Sequence, residues 1–393
     1  MANQQPAQRR WNLTVNRRSF LTLIPTALLF GCTHRDVEKG IKSTQRALSG
    51  DVAGAVGAYI PTSGVPEVDQ LVRRQVSTLI SKIQRYWKDR KVPTETEYVK
   101  YTDDYQSRAV VNFETGRIRV ETRRQDDPRG ALQQAIVATL LTPEDPTSVD
   151  LLSDKEVRIG GQPFLYGLVV DHENQNIRWA WRAGRYADHL LRTRYETSGS
   201  GRSRVHFVSF GMIREYQGRQ QFKFQDFVIR NAKRFNQPPD LIYAIMEAES
   251  SFNPYAVSHV PAYGLMQIVP TTAGRDCHQF LYGRPGTPTR EYLFVPENNI
   301  RMGTAYLHIL DTRYLKMVQN RRSREYCVIA GYNTGSGNVL RAFHRDRRQA
   351  VARINAASPQ EVYEGLVRNL PYQETRNYLP KVVKLRSKYA ALR

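Results

Sequence analysis

The chain has 393 residues, 40% hydrophobic and 24% charged, a globular composition long enough for about two or three domains. Lys and Arg number 58 against 37 Asp and Glu, a net charge of +21, which points to a polyanionic partner such as nucleic acid, an anionic membrane or an acidic cell-wall polymer. Zinc-finger Cys/His spacing and the aromatic–basic signature of an RNA-binding sheet are both missing, which sets nucleic acid aside, and without an apolar run of about 18 residues a membrane-spanning helix is not expected.

Residues 1–32 read as a secretory leader. Arg9, Arg10, Arg17 and Arg18 form a basic region, FLTLIPTALLF (Phe20–Phe30) is apolar but too short to span a bilayer, and LFGC ends at Cys32. LFGC resembles a bacterial lipobox, which implies lipidation at Cys32. Thr33, rather than Asp, resembles an outer-membrane sorting signal, so the expected place is the outer membrane, lipid-anchored and facing the periplasm. NRRSFL (Asn16–Leu21) also resembles a twin-arginine signal and leaves the export route open. A disordered basic tail is the alternative. In an oxidising compartment Cys277 and Cys327 could pair, but two separate buried thiols are the favoured reading.

Residues 33–60 read as a tether. Val68, Leu71, Val72, Val76, Leu79, Ile80, Ile83 and Trp87 then make one helical stripe. RAVVNFETGRIRVETRR alternates on both sides of ETG and predicts a hairpin; PRGALQQAIVATLL returns to helical spacing; FLYGLVV and RVHFVSFGMI read as strands. Residues 61–215 are therefore expected to form an α+β domain without a catalytic constellation. Asp103-Asp104 and Asp126-Asp127 read as solvated turns, and His259 and His278 as loop residues. From 216 to 393 the pattern is nearly all helical, with amphipathic stretches broken by Pro, Gly and Asn. Ser358-Pro359-Gln360-Glu361 is a capping-box pattern.

The chemistry concentrates in YAIMEAESSFNPYAVS (Tyr243–Ser258). Ile242, Ile245, Met246 and Glu249 fall on one helical stripe, so a carboxylate faces the core, while Glu247, about 200° away, faces water. Asn253-Pro254 cannot continue the helix, which puts Glu249 in its last turn. The negative end of the helix and the apolar neighbours both disfavour the carboxylate and raise its pKa, as a general acid requires. A glutamate that turns out to solvent or pairs with a buried arginine is the alternative.

Downstream stand GLMQIVPTTA (Gly264–Ala273), AGYNTGSGNV (Ala330–Val339) and LPYQETRNYLPKV (Leu370–Val382). With ESSFNP, these ordered segments resemble the lytic transglycosylase family of murein-cleaving enzymes, whose fold is similar to goose-type lysozyme. The resemblance covers the C-terminal half. It implies an all-α lysozyme-like catalytic domain after the α+β one, cleavage between N-acetylmuramic acid and N-acetylglucosamine, and Glu249 as the acid that later serves as base. Ser258, Gln267 and Tyr332 match positions that hold the substrate or the glutamate, and Glu374 and Tyr378 match a motif lining the groove. Met266 and Tyr263 are expected to pack around the acid, with Met266 counted among the substrate contacts and Tyr263 shaping the groove floor. Asn333 is expected to fix its loop beside the sugar. No metal or cofactor is implied. Peptidoglycan strands are the expected partner, with a lipid anchor in the membrane and room for cell-wall synthesis or division proteins.

A hydrolysing glycosidase uses two carboxylates about 5 to 10 Å apart. The motifs offer one inward acid and Glu374 at the rim. One acid suits a reaction in which the C6 hydroxyl of muramic acid attacks its own C1, giving a 1,6-anhydro product. A goose-type muramidase that adds water, and a murein-binding lipoprotein without activity, are the alternatives. Since every motif lies after Gln217, the first half is expected to be dispensable for chemistry.

Overall fold

The computed structural model describes residues 80–151, 153–258 and 262–392. The leader with Cys32, the tether, most of the 68–87 stripe and His259 lie outside them. The stripe's described end, 80–86, is helical, with Ile83 buried and Trp87 buried just beyond it.

Five antiparallel strands follow: β1 (Glu97–Thr102), β2 (Ser107–Asn112), β3 (Arg117–Thr122), β4 (Tyr195–Ser198) and β5 (Val205–Gly211), in the order β1-β2-β3-β5-β4. ETG makes the β2–β3 turn, with Gly116 at φ 68°, where a side chain is disfavoured. Two helices, α1 (Pro128–Leu140) and α2 (Ala180–Thr193), pack together, and α1 lies on the sheet. Strand alternation sorts the side chains into two clusters. Tyr98, Ala109 and Val111 join α1 and α2 in one, and Val99, Tyr101 and Val110 meet Ile83 and Trp87 in the other. FLYGLVV is not a strand. Phe164, Leu165, Leu168 and Val169 are buried in consecutive turns, and Gly167 at φ 76° breaks any extended run. Asp103 and Asp104 occupy the β1–β2 turn, and Asp127 caps α1 through Gly130 N.

The chain passes into a second core between Tyr216 and Phe224, through α3 (Tyr216–Lys223). From there the described structure is helical: α4 (Gln225–Phe235), α5 (Pro239–Ser250), α6 (Ala273–Tyr282), α7 (Arg290–Phe294), α8 (Pro296–Ile309), α9 (Arg321–Thr334), α10 (Ser336–Arg341), α11 (Arg347–Ala356), α12 (Pro359–Asn369) and α13 (Gln373–Lys388). The architecture is thus α+β followed by an all-helical half. The capping box forms at Ser358 and Glu361, a pairing worth about 1 kcal/mol. Cys277 and Cys327 are separate buried thiols. His278 is a correction: it sits within α6 rather than in a loop.

Three helices carry the site, and one guanidinium ties them. Arg386 of α13 meets the fully buried Asp240 of α5 at 2.6 Å and Glu325 of α9 at 2.6 Å. Removing one partner of such a group leaves a charge uncompensated in the core, at a cost of about 3–5 kcal/mol.

Candidate active site

Helix α5 starts with Pro239 in its first turn, where a missing N–H costs nothing. Ile242, Ile245 and Met246 are fully buried, and Glu249, on the same stripe, is partly buried. The helix ends at Ser250. Ser251 and Phe252 both take left-handed conformations, φ 49° and 61°, before Asn253-Pro254 is reached.

Tyr378 Oη donates to Glu249 Oε1 at 2.6 Å. Desolvation pushes the Glu249 pKa up to about 8, from an ordinary 4.5. The Tyr378 hydrogen bond pulls the other way, Glu374 adds to the rise, Lys381 opposes it, and Glu95 of the sheet-bearing half adds to it. Lys381 Nζ also donates to Ala248 O at 2.9 Å, fastening α13 to the last turn of α5. A carboxyl protonated at neutral pH, held by one donor and partly open, is chemically a general acid.

GLMQ is a turn ahead of α6, not part of a helix. Gly264 has φ 74°, and a Cβ there would sit 2.7 Å from Leu293 O, so only glycine fits. Gln267 is strained at φ 46°; its Nε2 donates to Gly264 O at 2.8 Å, and its buried Oε1 meets no protein donor. Tyr332 Oη donates to Met266 O at 2.8 Å, which ties α9 to this turn. Met266 is a correction: its side chain is wholly buried against Gly303 and has no surface to offer a sugar. Tyr263 likewise lies in the core, edge-on to Phe294 at 5.5 Å between centroids, rather than at the groove floor.

Asn333 spans two helices: Nδ2 donates to Glu374 Oε1 at 3.3 Å and Oδ1 accepts from Thr375 Oγ1 at 2.7 Å. Glu374 is exposed in the first turn of α13. Ser258 N donates to Ala262 O at 3.1 Å and Ser258 Oγ accepts from Ala262 N at 3.3 Å, which shapes the loop after α5. Glu247 is a correction. Its carboxylate is mostly covered, paired with Lys388 Nζ at 2.9 Å, and it accepts from Tyr389 Oη. Sequence reasoning missed Asn299. It is fully buried, donates to Tyr263 O at 2.6 Å and Leu293 O at 2.8 Å, and accepts from Met266 N at 2.7 Å, so it organises the whole GLMQ turn. Its only sequence signal is an asparagine at a core-facing position of an apolar helix.

Residues 226–355 match the family described as the transglycosylase SLT domain, and residues 67–223 match the N-terminal domain of membrane-bound lytic murein transglycosylase C. Glu374 and Tyr378 lie beyond the SLT match. The class is therefore a murein-degrading lytic transglycosylase, an enzyme acting on peptidoglycan. The membrane-bound lytic murein transglycosylase C of Yersinia pestis is 47% identical over 294 residues, 75% of this chain and 82% of that protein. Its namesake from Yersinia pseudotuberculosis gives the same identity, 47%, over the same shares, 75% and 82%. The chain belongs to the membrane-bound lytic murein transglycosylase C family and is associated with the membrane. Among solved structures, the 70 kDa soluble lytic transglycosylase of Escherichia coli is 28% identical at a TM-score of 0.33, over 43% of this chain and 24% of that one. No described helix is long and apolar enough to cross a membrane.

Proposed function

We propose that Glu249 is the acid and then the base of a non-hydrolytic cleavage of the β-1,4 bond between N-acetylmuramic acid and N-acetylglucosamine. The neutral carboxyl gives its proton to the glycosidic oxygen as the C1–O bond breaks. The resulting carboxylate, held by Tyr378, takes the proton from the muramic C6 hydroxyl as O6 bonds to C1. The product is a 1,6-anhydro ring, no water is consumed, and Glu249 ends protonated as it began. Gln267 and Ser258 border the sugar, Glu374 and Tyr378 line the groove, and Tyr332 and Asn333 hold the walls.

The observation that carries this reading is the partly buried Glu249 carboxyl, its proton affinity raised by desolvation and one tyrosine donating to it. Hydrolysis is the second reading, supported by the charges of Glu374 and Glu95 that bear on Glu249. Mass spectrometry of products from digested sacculi separates the two. Anhydromuropeptides are expected, and reducing ends would overturn the lyase. Glu249→Gln should lose about 10²- to 10⁴-fold in rate while still binding murein; an active variant would remove Glu249 from the mechanism. We further assign residues 1–32 as a lipoprotein leader with Cys32 as the lipidated residue in the outer membrane, 33–60 as a tether, 61–215 as the first domain and 216–393 as the catalytic one. Cell-wall synthesis or division proteins are candidate partners.

A further inference from the structure

Three residues past Glu249 the chain does something its helical half does not require. Phe252 is buried in the helical core, tilted on Tyr243, while Tyr255 is fully buried in the core of the sheet-bearing half. The polypeptide crosses from one core to the other within three residues. Tyr255 stands edge-on to Tyr98 at 5.0 Å and to Phe164 at 5.4 Å, and its hydroxyl donates to Pro143 O. Asn253, also fully buried, donates from Nδ2 to Glu95 O at 3.1 Å and accepts from Tyr255 N at 3.0 Å. Val257 N donates to Thr94 O at 3.3 Å.

These anchors sit just downstream of a strained pair. Left-handed geometry is disfavoured for Ser251 and costly for the bulky Phe252, so it persists only where the surroundings over-determine it. Upstream, Ser250 Oγ donates to Leu265 O at 2.8 Å and pins the helix end to the GLMQ turn. Downstream, every hydrogen-bonded tie described above for Asn253, Tyr255 and Val257 to a distant segment runs to the sheet-bearing half. On the other side Gly264 N donates to Ala256 O at 2.9 Å, so the turn that follows Glu249 is held between the GLMQ segment and the sheet-bearing half.

We propose that the sheet-bearing half is part of the catalytic apparatus: it clamps the turn after α5 through Asn253 and Tyr255, which are positioning residues for Glu249. This rests on the reading of Glu249 as the acid, and it replaces the expectation that the first half is dispensable. The clamp also holds the backbone of Glu95, a residue whose charge adds to the rise on Glu249. The other groups facing that carboxyl are Tyr378, Glu374 and Lys381 from α13 and Tyr332 from α9.

The test uses the full chain, purified murein and initial rates of anhydromuropeptide release from about pH 5 to about pH 9. Asn253→Ala should lower kcat by about 10- to 100-fold with the apparent KM within about twofold. It should also move the alkaline limb of the profile to lower pH, because a loosened site admits water to the carboxyl. Tyr255→Phe keeps the ring and should move both readouts the same way by less. Tyr216→Phe is the control. It removes the bond from Tyr216 Oη to Glu114 O and the one it accepts from Gln217, touches none of the ties to residues 253–257, and should leave kcat and the profile unchanged. The clamp is overturned if Asn253→Ala and Tyr255→Phe only lower the melting temperature, or if Tyr216→Phe slows the enzyme as much. Glu249→Gln is run alongside. If it remains active, the acid assignment fails; if it is dead while both clamp variants keep wild-type rates and profiles, only the clamp fails.

Discussion

Tyr378 and Glu249, 129 residues apart, share a 2.6 Å hydrogen bond in which the phenol donates to the carboxyl. The bond favours the ionised carboxylate, so it opposes the desolvation that keeps Glu249 protonated. A group that gives up a proton and takes it back needs both influences. Burial keeps the proton on at neutral pH, and the phenol steadies the anion once the proton has gone.

Tyr378→Phe removes the second influence and keeps the ring. The proton affinity of Glu249 then rises further from about 8, so the alkaline limb of kcat should move to higher pH than in the wild type. The rate at neutral pH should drop by about tenfold, the range of one hydrogen bond to a charged group. A pH–rate series on both proteins checks this. An unmoved limb means the titrating group is not Glu249.

Glu247→Gln should cost stability with little effect on rate. Lys388 is partly exposed and its pair with Glu247 is worth about 0–1 kcal/mol after screening. Tyr389, almost fully buried, donates to the same carboxylate, and a neutral amide is the weaker acceptor. The expected loss is about 1–2 kcal/mol, with activity within about twofold of wild type. Urea melts and a murein assay on the same preparation measure both. A dead Glu247→Gln would reverse the roles of the two glutamates.

That correction marks where sequence reading stops. Helical spacing alone placed Glu249 inward, because Ile242, Ile245 and Met246 declare the face locally. Spacing also turned Glu247 away from that face, but the residues that cover it, Lys388 and Tyr389, come from the far end of the chain. The ETG hairpin was legible because alternation flanks it. Helix α2 was legible and went unread: Ala183, Tyr186, Ala187, Leu190 and Leu191 stand at the i, i+3, i+4, i+7, i+8 spacing of a buried helical face, with the arginines on the other side. FLYGLVV misled because a short apolar run fits a strand, a helix or buried turns equally well. Nothing local marks Tyr255 as a core residue. Only the folded chain shows it in the core of the other half.

Cys32→Ala tests the membrane attachment. LFGC ahead of Thr33 predicts a lipidated cysteine, and the family is membrane-bound by name while no described helix can span a bilayer. Metabolic labelling with a palmitate analogue should mark the wild type and not the variant, and the variant should move to the soluble periplasmic fraction. Equal labelling of both proteins sinks the assignment.

The last prediction concerns stability rather than rate. In the unfolded chain the Glu249 carboxyl titrates near 4.5, and in the folded chain near 8. Between these values the folded state holds a proton that the unfolded state has released. The wild type therefore loses stability as pH rises through that window, each tenfold change in proton affinity being about 1.4 kcal/mol. Below it both states are protonated and the full stability is present; above it both are ionised and the buried charge weighs on the folded state. Glu249→Gln has nothing to titrate there, and every other group is common to the two proteins, so their difference isolates this one carboxyl. The variant should match the wild type within about 1 kcal/mol near pH 4.5. It should become the more stable protein by about 2–4 kcal/mol near pH 8.5. Denaturant melts of both across that range give the curve. A difference that stays flat with pH would show that the carboxyl is solvated in the folded protein, and the general-acid reading would lose its physical basis.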